Sequence, residues 1–284
     1  MDPCSDGVST RPGRIRPILP AWREIALPPP VTSSQTMLME SELRLLYGLA
    51  RDHFLNVGHI VDAGCFLGGS TRALSYGLAA NSAYLRNQRW EPIFSYDLFE
   101  VEAWTIGRYF PQGTPPGMSF EPFYRNNIAP VSHLVGVRAG DITRSSPPPN
   151  PIEILFIDLA KHWTVSDHLV RHFFPKLIPG HSIVVHQDYL YEIGTGWLPV
   201  TMEFLSEYFD LVDHTELNSV AFHYRKAIPA ALLERNLIQN LTRTEILDLG
   251  NRAIARFPGE QQRRILTSAR DDFQATLASL GWPT

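Results

Sequence analysis

The chain has 284 residues, 44% of them hydrophobic and 19% charged, and 25 basic against 29 acidic side chains give a formal net charge of −4. That is enough chain for one large α/β domain with appendages, or two small domains, and for a core that needs no staples. The mild negative charge offers no basic stripe for a phosphate backbone, so nucleic acid is not an expected partner. No apolar run approaches the ~20 residues of a membrane span, and the N-terminal MDPCSDGVSTRPGR lacks the apolar centre of a secretory signal, so a cytoplasmic protein without a membrane partner is expected. The two cysteines, Cys4 and Cys65, fall in unlike settings and predict no disulfide.

Residues 1–35 are rich in proline, arginine and small polar residues and are expected to form a flexible arm. Leu38, Leu43, Leu45, Leu46 and Leu49 recur at helical spacing, predicting an amphipathic helix over 36–54. The run GHIVDA (58–63) reads as a strand, and 70–77 as a helix with Ser70 or Thr71 as its N-cap. Strands follow at 93–97, 134–137 and 152–158, the last (IEILFID) apolar enough for the middle of a parallel sheet. Ser166 is placed to cap a helix through Leu177, which Pro179 and Gly180 end. A strand at 182–186, a helix near 199–208 and strands at 211–214 and 220–224 complete the pattern, with loops at 111–122 and 147–151. Strands alternating with helices predict an α/β fold, a doubly wound, mostly parallel, seven-stranded Rossmann-like sheet over 36–225 with an N-terminal helix. Residues 226–284 carry leucines at helical spacing and no strand signal, which predicts a C-terminal helical appendage for dimerisation or for covering the site.

The segment VDAGCFLGGST (61–71) places glycines at a strand-to-helix junction, where backbone can approach a ligand and a helix N-terminus offers free N–H groups. A dinucleotide loop wants GxGxxG; here the glycines run GxxxGG. A phosphate loop wants a lysine where Ser70 stands. What remains is DxGxxxGxS, in which Asp62 precedes Gly64 by two. Asp97, ending the second strand with Leu98 beside it, can accept both ribose hydroxyls of a nucleoside. Gly140, Asp141 and Ile142 follow the third strand.

With these markers in register, residues 36–225 resemble the class I S-adenosylmethionine-dependent methyltransferases, most closely the macrocin and catechol O-methyltransferase branches. VDAGCFLGGST, SYDLFE (95–100), FIDLAKHW (156–163) and VVHQDY (184–189) carry the resemblance. It implies a cofactor site for S-adenosylmethionine built from Asp62, Gly64, Phe66, Gly68, Ser70, Thr71, Asp97, Leu98, Asp141, Ile142 and Asp158, with Asp62 near the methionine end and Asp141 facing the adenine. It also implies Mg²⁺ held by Asp158, Gln187 and Asp188, which would activate an acceptor hydroxyl, and Lys161 as the base. Gln187-Asp188 departs from the Asp-Asn or Asp-Asp of metal-dependent relatives, and Ala160 replaces a further acid. Without a metal, His162 or His186 becomes the better base.

Trp104, Tyr109, Phe110, Phe120, Phe123 and Tyr124 could line an acceptor pocket or pack a helix. Glu42 is expected on a solvated helix face. The implied activity is O-methylation of a small molecule, a sugar or aromatic unit of secondary metabolism, by a homo-oligomer, most simply a homodimer. A metal-independent N-methyltransferase, a non-catalytic cofactor-binding scaffold and an NAD- or nucleotide-sugar-linked enzyme are the alternatives.

Overall fold

In the computed structural model, residues 22–234 and 237–284 are described. Seven strands, His59–Ala63 (β1), Ile93–Asp97 (β2), Val135–Ala139 (β3), Ile152–Ile157 (β4), Ile183–Leu190 (β5), Phe209–His214 (β6) and Asn218–Tyr224 (β7), form one sheet in the order β3-β2-β1-β4-β5-β7-β6. β1 to β5 pair in parallel, and β7 runs antiparallel to both its neighbours. The expected doubly wound, mostly parallel seven-stranded sheet is therefore present. The direction of winding reverses between β1 and β4, and the carboxyl ends flanking that point are where such sheets bind ligands.

β1, β4 and the first half of β5 are buried on both faces, as the near-continuous apolar runs require. The first helix is shorter than its periodicity suggests. It covers Glu40–Gly48, and Leu49–His53 widens into a π turn. Residues 1–21 of the expected arm lie outside the described residues. From Trp22 onward the chain makes contacts with the domain: Trp22 and Val31 are buried, and Trp22 Nε1 donates to Asp213 on β6 at 2.6 Å. After Tyr224 every regular element among the described residues is helical. Helices Arg243–Ala255 and Glu260–Ser279 lay Leu249, Leu266, Phe273 and Leu277 into the same core as β4 and β5. A capping box between Thr242 and Glu245 starts the first of these two.

At the amino end of the sheet, away from the switch point, Glu153 on β4 is wholly buried. It accepts the backbone N–H groups of Leu55, Val57 and Gly58 at 2.6 Å each and the His181 ring at 2.8 Å. His53 lies beside it, stacked on His181 with ring centroids 4.7 Å apart and its Nε2–H donating to the His181 carbonyl at 2.8 Å. Burial pushes the His53 imidazole down to about 4, against the pull of the His181 carbonyl and Glu153 and with the push of His181 and His223. The folded value is below the unfolded one, so this stability is full above pH ~6.5 and is lost as pH falls towards ~4, by about 3 kcal/mol in all. His53→Gln, which can keep the hydrogen bond without titrating, is expected to show a shallower loss of Tm across that interval than the natural protein. Parallel Tm–pH curves for the two would exclude His53 as the cause.

Candidate functional site

β1 ends at Ala63, and the chain turns through Gly64 at φ +97°. A Cβ on Gly64 would lie 2.7 Å from the backbone carbon of Asp158, so this close approach to the end of β4 excludes any side chain. The Asp158 N–H donates to the Ala63 carbonyl at 2.7 Å, locking the two strand ends together. Gly68, at φ +94°, is the N-cap of helix Gly69–Ala79. Ser70 and Thr71 are thus not caps: both are buried in the first turn, where the left-handed cap residue has to be glycine.

Asp62 is fully enclosed beneath this loop rather than open to the cleft. Thr71 Oγ1 donates to its Oδ2, while Oδ1 is buried without a hydrogen-bond partner. Burial pushes its carboxyl up to about 6. Asp97 holds the loop from the neighbouring strand. It accepts from Phe66 N–H at 2.8 Å and from Phe99 N–H at 2.9 Å, and both donors belong to residues with positive φ, 44° and 56°. Burial raises its carboxyl. Leu98 beside it is exposed, whereas Ile142 across the β2–β3 end is buried. Asp141 is exposed; one of its oxygens caps Thr143 N–H at 2.8 Å, a bond that lowers its carboxyl.

On the other side of the switch point, β5 bulges. Its register with β7 shifts between His186 and Leu190, and Asp188 lies at φ +60°. The bulge turns Gln187 and Asp188 towards Asp158. Lys161 Nζ sits among all three, 2.7 Å from Asp158 Oδ1, bonded to Asp188 Oδ2 and 3.4 Å from Gln187 Oε1. Burial pushes Asp158 up to about 7 against the pull of Lys161. Burial of its tip opposes the Lys161 charge, but the Asp158 and Asp188 carboxylates raise the ammonium; the side chain as a whole is 55% exposed. Glu42 stands behind this cluster. It is buried rather than solvated, bonded to Ser219 Oγ at 2.6 Å and Met39 N–H at 2.8 Å. Two carboxylates and an amide oxygen suit Mg²⁺ in kind. Here, however, an ammonium already occupies the point where they converge, and the set does not fit a divalent ion beside it. Among the described residues no group of three or more histidine, cysteine, aspartate or glutamate side chains is placed to hold a metal.

The two histidines are placed differently. His162 is the N-cap of helix Trp163–His172, its Nδ1 engaged by Thr164, and its ring lies 3.8 Å from that of Trp163. His186 points into the core with both ring nitrogens buried and unpartnered, and burial pushes it down to about 3. A polar ring without partners costs stability, so His186→Leu is expected to raise the unfolding free energy by about 1 kcal/mol and leave ligand binding unchanged. A denaturant titration showing marked destabilisation would mean that the ring has a partner. Of the aromatic residues after β2, Phe110, Phe120 and Tyr124 are buried around Phe66 and Phe99, so packing explains them; Trp104 and Phe123 remain exposed.

No protein-family model matches the chain, and no curated protein matches it by sequence. Several solved structures are similar in fold. One, from Klebsiella pneumoniae and assigned as an O-methyltransferase, is 13% identical with a TM-score of 0.47, covering 72% of this chain and 92% of its own. The calicheamicin methyltransferase CalS11 is 15% identical with a TM-score of 0.44, over 65% of this chain and 78% of its own. NcsB1, an O-methyltransferase from neocarzinostatin biosynthesis solved with S-adenosyl-L-homocysteine and 1,4-dihydroxy-2-naphthoic acid, is 15% identical with a TM-score of 0.39, over 66% and 55%.

Proposed function

We propose that the chain is an S-adenosylmethionine-dependent methyltransferase that methylates a hydroxyl of a small molecule, a sugar or aromatic unit. One observation carries the reading: the glycine turn, Asp97, Leu98 and Asp141 meet at the carboxyl ends of β1 to β3, directly across the switch point from a cation–carboxylate cluster. The residues suit the cofactor. Gly64 and Gly68 give the turn its left-handed bends and let it pack closely on Asp158 and Ile128, and each Asp97 oxygen keeps a lone pair for a ribose hydroxyl. Leu98 offers an exposed apolar face to the adenine, and the second Asp141 oxygen is free to accept from its amino group.

When bound, the cofactor supplies an electrophilic methyl group on a sulfonium. The chain's part would be to position an acceptor hydroxyl beside that group, which would provide much of the rate, and to take its proton onto a carboxylate of the Asp158–Asp188 pair, which Lys161 keeps in place. Titration calorimetry with S-adenosylhomocysteine tests the reading. Binding in the micromolar range is expected; no binding, with NAD bound instead, would overturn it.

A further inference from the structure

We propose that the Lys161 ammonium is the resident cation of the acceptor end, filling the position a divalent ion would need. The proposal takes its setting from the methyltransferase reading but does not depend on it for its test. Asp158 directly follows β4, and Gln187 and Asp188 lie in the bulge of the neighbouring β5, so the three acceptors come from adjacent strands. The chain then doubles back after β4, with Lys161 N–H donating to the Leu159 carbonyl at 2.8 Å, and delivers Nζ to the same point.

An ammonium carries three donors and meets three acceptors there, at 2.7 Å from Asp158, at 3.4 Å from Gln187 and in direct contact with Asp188. The Lys161 side chain is 55% exposed along its length and is held at its tip by these oxygens; a divalent ion bound by the same oxygens would lie against that positive charge and would have to displace it. Asp188 adopts φ +60°, a left-handed conformation that aspartate holds more readily than most non-glycine residues. In this conformation its carboxylate reaches Nζ. The buried Glu42, whose charge also faces Asp158 and Asp188, adds to the negative field that the lysine balances. Removing the Lys161 side chain would leave an acidic, oxygen-lined cleft of the kind that binds hard cations.

The test is Mn²⁺ binding to the full-length protein, read from loss of the free-ion electron paramagnetic resonance signal. The natural protein is expected to leave that signal intact. Lys161→Ala is expected to bind Mn²⁺ about ten-fold or more tightly than the natural protein, and Asp188→Asn in that background should abolish the gain. Lys161→Gln is read in the same way where the alanine variant is unstable. Mn²⁺ binding by the natural protein that Asp188→Asn removes would overturn the proposal, as would failure of both lysine variants to bind. S-adenosylhomocysteine binding is measured on the same samples. Its absence from the natural protein would count against the methyltransferase reading alone, because the Mn²⁺ result is read independently.

Discussion

Glu153→Ala is expected to lower the unfolding free energy by about 3 kcal/mol, from three backbone donors left without their acceptor at roughly 1 kcal/mol or more each. The carboxylate has no access to solvent and gathers four donors: the N–H groups of Leu55, Val57 and Gly58 and the ring of His181. These donors come from the turn before β1 and the loop before β5, so one side chain closes three segments of chain. Alanine would orphan all three backbone donors, of which the Gly58 N–H is buried and the other two are partly buried. Glu153→Gln should cost less than alanine but still a substantial part, because its amide oxygen can serve some donors while its NH₂ faces the rest. Urea denaturation with an unchanged slope is the measurement. A midpoint close to that of the natural protein for Glu153→Ala would mean that the turn reorganises freely, and the network would lose its standing as a structural lock.

Asp97→Ala is expected to weaken S-adenosylhomocysteine binding about 100-fold, since two hydrogen bonds to a charged group are lost at ~1.5 kcal/mol or more each. The carboxylate serves the loop as much as the ligand. Phe66 and Phe99 both hold positive φ, a conformation with a standing cost outside glycine, and each is fixed by an N–H bonded to this carboxylate. Removing it frees the glycine turn to relax as well as deleting the acceptor for the ribose. Asp97→Asn keeps one oxygen and should lose about ten-fold. Calorimetry on both variants checks the order; an unchanged affinity in Asp97→Ala would remove this residue from the proposed cofactor site.

The layered fold was legible because its signals are local. Ile93–Asp97 is a β-branched and aromatic run cut off by Pro92 and by the turn after Asp97, and the structure has the strand at those limits. The N-cap at Gly68 was not legible: Ser70 and Thr71 are better cap residues in isolation, but the close packing of Gly64 on Asp158 and of Gly68 on Ile128 decides where the turn ends. His186 could not be assigned a face, because β5 is buried on both sides there and alternation carries no information. The same strand hides its bulge, which sets the direction of Gln187 and Asp188. Glu153 left a faint signal, a lone acid inside an otherwise apolar central strand, but its donors come from residues about 100 positions earlier and from His181. Strand adjacency suggested that Asp158, Lys161, Gln187 and Asp188 meet; what sits at their centre depends on how the chain folds back after β4.

The position of β7 has a consequence for synthesis. It is the last strand made, yet it lies between β5 and β6, and its Ser219 closes onto Glu42 from the first helix. On the ribosome the edge of β5 stays unpaired until Tyr224 has left the exit tunnel. Until then the acidic cluster behind Lys161 lacks one wall. A nascent chain stalled before Asn218 would display an open sheet edge to chaperones and to other copies of itself, and no product that stops short of β7 could carry a finished acceptor site.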